Sequence, residues 1–335
     1  MRLLISLLPV FLLLSCQPNE VSPDTTYSFL VPEHFPPPTY DFERNPVTEA
    51  GFLLGKRLFE DVRLSSNNSV SCSTCHQQAV AFADPQHRLS LGVDEREGIR
   101  NAPGLFNLAF TQEFMLDGGI THLDFVPINA ITSPFEMDET LEGVVAKLRA
   151  DNGYRNDFQR AFGQDTITSG LLLQALSQYQ LMLVSDRSKY DDVVLKRNNA
   201  TFTPAEERGA AFFNTNCSSC HTGVLFTDKS YRNNGLDVAE TQDAGRSLIT
   251  ETESDRGKFR VPSLRNVART GPYMHDGRFA SLEAVLEHYR SGIRASTSLD
   301  PSLDNAITMS NEEMADVIAF LETLTDWELM QDPRF

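Results

Sequence analysis

The sequence predicts a mostly α-helical protein built as two similar domains. Three observations carry that expectation. The chain has 335 residues, and a soluble domain commonly holds about 100–200. Apolar residues recur at helical spacing, and alternating strand patterns are few. A short cysteine–histidine signature occurs twice, as "CSTCH" and "CSSCH", each time after a helical stretch. Helix, short turn and signature form a weak internal repeat.

The elements follow in order. "MRLLISLLPVFLLLSC" has one Arg, then an apolar run ending at a small residue and Cys16. This is the layout of a secretory signal over residues 1–15, too short to span a bilayer comfortably. "LLSC" resembles a bacterial lipobox, which would make Cys16 the lipidated first residue of the mature chain. An ordinary signal peptide with an incidental cysteine is the alternative. Residues 16–40 are rich in Pro and polar residues and read as a flexible tether. "TEAGFLLGKRLFED" (48–61) and "TPAEERGAAFFNTN" (203–216) are amphipathic helices. The second carries a Thr203–Glu206 capping box with Pro204 at its first turn. Residues 139–163 and 168–185 read as helices. Residues 188–202 read as the connection between domains, placing an N-terminal domain at 41–200 and a C-terminal domain at 201–335. Residues 222–260 read as a long loop region. Residues 310–324 form a closing helix with a Ser310–Glu313 box.

Cys72 and Cys75 with His76, and Cys217 and Cys220 with His221, account for every cysteine after Cys16. C-x-x-C-H is the attachment signature of c-type haem: two thiols add to two vinyl groups, and the histidine ligates the iron. Two CxxC pairs also suit one zinc, two disulfides or redox dithiols. None of these needs a histidine after each pair. With 7 histidines in the chain, both arising by chance is on the order of one in two thousand. Haem c is attached outside the cytoplasm, in agreement with the signal segment. The expectation is therefore two covalent haems in two cytochrome c-like domains.

"GPYMHDGRFASLEAVLEHY" (271–289) holds further residues able to bind haem iron. Ser281 is a plausible N-cap, and Leu282, Val285, Leu286 and Tyr289 share one helical face. Tyr289 faces inward more directly than His288. By pattern alone it also reads as a core tyrosine, and nothing is decided about Met274 and His275. The formal charge of −17 excludes a nucleic-acid binder, which needs clustered Lys and Arg.

The chain is similar to the bacterial dihaem cytochrome c peroxidase and MauG family from about Phe42 to Leu324. The likeness rests on "LGKRLFEDVRLSSNNSVSCSTCH", "GIRNAPGLFN", "FMLDGG", "SPFEMD", "CSSCH" and "VPSLRNVARTGPYMHDGRFASLEAVLEHY". It implies two haem domains packed around a shared interface, with a calcium ion between them. The N-terminal haem would react with hydrogen peroxide and the C-terminal haem would relay electrons. The far ligand of the C-terminal haem is a methionine in the peroxidases and a tyrosine in MauG; here that position is Tyr289. The removable distal histidine of some peroxidases falls on Val93, implying an open iron. His87 is an alternative ligand nearby, though a surface-loop role suits it better. The distal acid falls on Glu136. The distal glutamine falls on Val126 and the tryptophan between the haems on Leu116, and the one tryptophan of the chain is Trp327. Calcium would bind Asn101, Thr270 and Pro272.

The leading expectation is a lipid-anchored periplasmic enzyme reducing hydrogen peroxide with electrons from a small cytochrome c or cupredoxin. It would touch the membrane only through its N-terminal lipid; a homodimer is allowed but not demanded. The rivals are a MauG-like oxidase of a partner protein and a non-catalytic electron carrier.

Overall fold

The computed structural model describes residues 27–238 and 243–335. The expected signal segment, Cys16 and the first part of the tether lie outside the described residues. Among the described residues the chain is mostly helical. Its strands are Tyr231–Arg232 and Phe259–Arg260, one short antiparallel pair.

Each half is organised around a pair of helices in close contact. Glu49–Glu60 starts where the Thr48 side chain accepts from Gly51 N, and packs on Ser169–Leu181. Gly55 permits the approach, because a Cβ there would run into the Ala175 carbonyl. Pro204–Asn216 starts at the Thr203–Glu206 capping box and packs on Asn311–Glu322, itself opened by a Ser310–Glu313 box. Gly209 there faces the Asp316 carbonyl, as Gly55 faces that of Ala175. The repeat extends beyond the cysteine motifs. "APGLFNLAFTQEFMLDGG" and "VPSLRNVARTGPYMHDGR" align without gaps. Both place a left-handed residue at Asn107 and Asn266, at Met115 and Met274, and at Gly118 and Gly277. Both close the same small bridge, Phe114 to Ile120 and Tyr273 to Phe279. Leu116 in the first half thus takes the place of His275 in the second.

One hydrophobic core fills each half. The first centres on Phe52, Phe59, Tyr154 and Leu176, the second on Phe213, Val317 and Phe320. A third cluster, with Phe110, Leu123, Leu181 and Leu225, draws on both halves and joins them.

Three expectations need correction. Residues 27–40 are not a free tether: Phe29 packs on the first and third clusters, and Phe35 is buried in the third. Aromatic anchors there outweigh the Pro-rich composition. The expected helix 139–163 is two, Leu141–Arg149 and Asn152–Phe162, because Asp151 caps a new start by accepting from Gly153 N. The 201–335 segment does not stay in its own half. Leu329 and Phe335 return to the first core, and Gln78 Nε2 donates to the Leu329 and Asp332 carbonyls.

The halves are also latched by charge. Asp191, on the connecting helix Lys189–Val194, is fully buried against the fully buried Arg265. Arg265 Nη1 and Nη2 donate to its two oxygens at 2.9 and 2.7 Å. His34 of the N-terminal segment adds a 2.8 Å contact from Nε2 to Asp191 Oδ1.

Candidate functional site

The two CxxCH motifs adopt the same local structure. Cys72–Cys75 is a single helical turn opened by a Ser71–Thr74 box, and Cys217 ends the helix Pro204–Asn216. In each, the histidine that follows donates from Nδ1 to a nearby phenylalanine carbonyl. His76 reaches Phe82 O at 2.8 Å and His221 reaches Phe226 O at 3.2 Å. Both phenylalanines turn in the left-handed region, φ 60° and 52°, which aims the carbonyl back at the ring. With Nδ1 protonated and committed, the Nε2 lone pair is the one left for a metal. Burial holds both imidazoles below their ordinary pKa and hence neutral, the form that ligates iron.

The thiols discriminate among the readings of the motif. Burial pushes Cys72 and Cys217 up to about 12 and Cys75 up to about 11. A redox dithiol needs the opposite shift. The four cysteines are unpaired with one another, and no cluster of three metal-ligating Cys, His or acidic residues forms among the described residues. A neutral thioether to an apolar macrocycle fits such a setting.

A cavity of about 370 Å³ opens around His221, within the range of small-ligand and cofactor sites. Cys217, Cys220, Tyr289, Met274 and His275 line it, together with Leu116 from the first half. Tyr289 arrives there by an unexpected route. The helix Leu282–Glu287 passes into a π-turn at His288–Gly292, rather than running on as a regular helix. His288 turns away: it is buried, and its Nε2 donates to Asn234 O at 2.9 Å. Burial raises the Tyr289 pKa, and the neighbouring Asn234 amide partly offsets this. Arg260 also lines the cavity, and burial lowers its pKa. Among the described residues it has no ion-pair partner, and its Nε reaches only Met115 O at 3.4 Å. A partly buried guanidinium facing the cavity, with no ion-pair partner among the described residues, suits the carboxylates that a haem carries.

Around the first motif, Glu136 sits in the loop after the helix Val126–Thr132. Its charge raises the pKa of both Cys72 and Cys75, which places it beside that motif. Burial pushes Glu136 itself above the usual carboxylate range, against a weaker hydrogen bond from Ser133. The loop carrying Val93 packs directly on it, with Val93 N donating to Glu136 O at 2.7 Å. Val93 is buried in the first core. His87 is held by Asp84, Nδ1 to Oδ2 at 3.1 Å, with its side chain 39% exposed. Val126 packs on the third cluster.

Asn101, Thr270 and Pro272 all line the cavity. Asn101 N donates to His275 O at 2.8 Å and its Nδ2 to Arg88 O at 3.0 Å, so Oδ1 is the atom it can offer a cation. Sequence reasoning missed Arg260 and Asn234, which lie in the loop region where no periodicity marks them.

A family model described as di-haem cytochrome c peroxidase matches residues 49–199, and one described as cytochrome c matches residues 206–325. The methylamine utilization protein MauG of Methylorubrum extorquens is 37% identical over 299 residues, covering 88% of this chain and 83% of that protein. The cytochrome c551 peroxidase of Pseudomonas aeruginosa is 31% identical over 290 residues, covering 84% of this chain and 80% of that protein. The crystal structure of a MauG-like protein associated with microbial copper homeostasis superposes with a TM-score of 0.84 at 34% identity, covering 91% of this chain and 97% of that one. Two CxxCH motifs with neutral, Nδ1-anchored histidines, in two cytochrome c-type domains that match along most of their length, make this chain a dihaem oxidoreductase of the cytochrome c peroxidase and MauG family.

Proposed function

We infer that the protein consumes hydrogen peroxide at the haem on His76 and draws the required electrons through the haem on His221 from a small periplasmic redox protein. The observation that carries this reading is Glu136, a partly buried carboxyl with a raised pKa beside the Cys72–Cys75 motif. Haem bound there supplies the iron that takes up the two oxidising equivalents of peroxide. The protein's share is the proton. A Glu136 carboxylate oxygen accepts a proton from one peroxide oxygen and delivers it to the departing one, so that water leaves rather than hydroxide. Burial suits the task, because it makes the carboxyl a better base than an exposed glutamate. Val93, which presents no ligating atom, leaves the approach free, and His87 stays with Asp84 at the surface.

Tyr289 would be the second protein ligand of the His221 haem. An anionic phenolate favours the ferric state and lowers the potential relative to a thioether. Asn101 Oδ1 and the carbonyls of Thr270 and Pro272 would hold a calcium ion where the halves meet. The N-terminus would be a lipidated Cys16, tethering the protein to the cell envelope. Among the described residues no helix is long and apolar enough to cross a membrane.

Tyr289 also supports a second reading, in which the electrons come from aromatic side chains of a partner protein. The two readings part in one experiment. Peroxide is added to purified protein with a reduced small cytochrome c or cupredoxin, and separately with proteins that co-purify with it. Rapid oxidation of the small carrier supports the first reading. Peroxide-dependent oxidation of Trp or Tyr in a co-purifying protein, with slow carrier oxidation, replaces it with the second.

A further inference from the structure

Each CxxCH histidine donates to a phenylalanine carbonyl, but the two loops that present those carbonyls are held in different ways. The loop after His221 is held from within its own half. Ser263 Oγ donates to Leu225 O at 2.7 Å, and Arg265 Nε to Val224 O at 2.8 Å. The gapless repeat places Gly104 and Phe106 at those two positions in the first half, and neither has a side-chain donor. Gly104 also leaves little room for one, since a Cβ there would come within 2.9 Å of the Ala81 carbonyl oxygen. The first loop takes its support from the other half instead. We propose that Gln78 and Phe335 are positioning residues for His76, through which segment 327–335 holds the Phe82 carbonyl on the imidazole. The proposal concerns the haem on His76 and holds whichever partner supplies the electrons.

The clasp has a polar part and an aromatic part. The Gln78 side-chain amide donates twice to the segment, to Asp332 O at 2.7 Å and to Leu329 O at 3.2 Å. Those carbonyls belong to the end of the helix Trp327–Gln331 and the turn after it, where backbone acceptors lack intrahelical partners. The Phe335 ring meets Phe82 edge-on with centroids 6.1 Å apart, and lies 5.9 Å from Phe52 and 6.1 Å from Tyr179. Phe59 closes the group, 6.4 Å from Phe82 and 6.5 Å from the His76 ring. The segment is rooted in the second half, where Asp326 N donates to Asn266 Oδ1 at 2.8 Å and Asn266 N to Leu324 O at 3.0 Å. Lys56 Nζ donates to Arg334 O at 2.8 Å and secures its other end on the first half.

The backbone of this loop needs such support. Gln77 N donates to Ala83 O at 3.0 Å and Phe82 N to Gln77 O at 2.8 Å, closing a tight turn. Within it Ala81 and Phe82 are both left-handed, φ 53° and 60°. Residues with a side chain disfavour that conformation, and it persists where the surroundings enforce it. The loop after His221 eases its turn with Gly223 at φ 66°, whereas residues 77–83 contain no glycine. The Phe82 carbonyl accepts from His76 Nδ1 at 2.8 Å. A bond of this kind fixes the ring plane and makes Nε2 a stronger donor to a metal. Loosening Phe82 therefore weakens the ligand and leaves ferric iron less favoured. The Pro103 carbonyl is a second acceptor near the same ring, so the clasp acts on the part of the support that Phe82 supplies.

The test uses the dihaem protein as purified and reads the iron–histidine bond. Resonance Raman of the reduced protein gives the iron–histidine stretch of the His76 haem, and a spectroelectrochemical titration gives its midpoint potential. The potential reports on the bond even where a sixth ligand silences the stretch. Gln78→Met removes both donors and keeps the length of the side chain. Phe335→Ala removes the ring, and Phe335→Leu restores an apolar contact. In Gln78→Met and Phe335→Ala the stretch is expected at lower wavenumber and the potential of that haem higher, with the spectrum and potential of the His221 haem unchanged. Phe335→Leu should fall between the wild type and Phe335→Ala. Asp151→Ala is the control, because it removes a helix cap in the same half, away from the loop. It should lower the denaturation midpoint and leave stretch and potential where they are. Stretch and potential unmoved in both clasp variants overturn the proposal and leave His76 held by the Pro103 carbonyl alone. An equal shift at both haems, or the same shift in Asp151→Ala, also overturns it, because the effect is then one of general loosening.

Discussion

Replacing Asp191 by Ala should cost more stability than any other single change at the junction of the two halves. Asp191 and Arg265 are both fully excluded from solvent, and both guanidinium nitrogens donate to the carboxylate. Removing one partner of such a pair strands a buried charge and costs about 3–5 kcal/mol. Asp191 also accepts from Ser188 N at 2.9 Å in the capping box of its helix, and losing a cap adds about 1 kcal/mol. The total is a large part of the ~5–15 kcal/mol that separates folded from unfolded protein. The pair also predicts an acid limb. Burial alone would raise the Asp191 pKa, but the Arg265 guanidinium and Ser188 bring it from 3.8 down to about 2. A carboxylate depressed in the folded state stabilises it above the unfolded pKa. That stability, about 2 kcal/mol, is lost as pH falls from near 4 through about 2. Urea unfolding followed by far-ultraviolet circular dichroism and Soret absorbance measures both effects. The double variant Asp191→Leu/Arg265→Met should recover most of the loss, since apolar groups of similar volume often replace a buried pair without penalty. A loss below about 1 kcal/mol for Asp191→Ala, or a double variant no better than the single, would refute this account of the latch.

Four further outcomes are expected. Glu136→Gln should slow peroxide consumption roughly 10²-fold or more in stopped-flow measurements. The wild-type rate should fall on the acid side, as Glu136 gains the proton that disables it as a base, with a midpoint above the ordinary carboxylate value; a pH profile unchanged by the substitution would remove the assignment. Gly55→Val and Gly209→Val should each lower the denaturation midpoint, because a side chain at either position meets a helix carbonyl; unaltered midpoints would mean that the helix pairs can separate freely. With 46 acidic against 29 basic residues, electron delivery from a basic donor should slow as ionic strength rises. A rate independent of salt would exclude electrostatic steering.

What was legible in the sequence was local. The cysteine–histidine spacing, the Thr203–Glu206 and Ser310–Glu313 boxes and the inward face of Tyr289 all depend on residues within one or two turns. Their structures agree with that reading. Long-range contacts were not legible. Phe35 and Phe29 dock a Pro-rich segment that composition alone reads as free chain, and Leu329 and Phe335 cross back to the first core. Glu136 and Val93 lie in loops without periodicity, so only the family likeness reached them. Arg260 and Asn234 gain meaning from the cavity they line, and no neighbouring residue in sequence announces it. Leu116 was legible as a departure from the family, and the structure shows that it lines the second-haem cavity from the first half.

The most direct test of the account is the low-temperature EPR spectrum of the fully oxidised protein before and after hydrogen peroxide is added. The account predicts one high-spin haem beside one low-spin haem, with the high-spin signal consumed by peroxide. Two low-spin haems inert to peroxide would contradict it, and would leave the protein an electron carrier or a peroxidase closed until it is reduced.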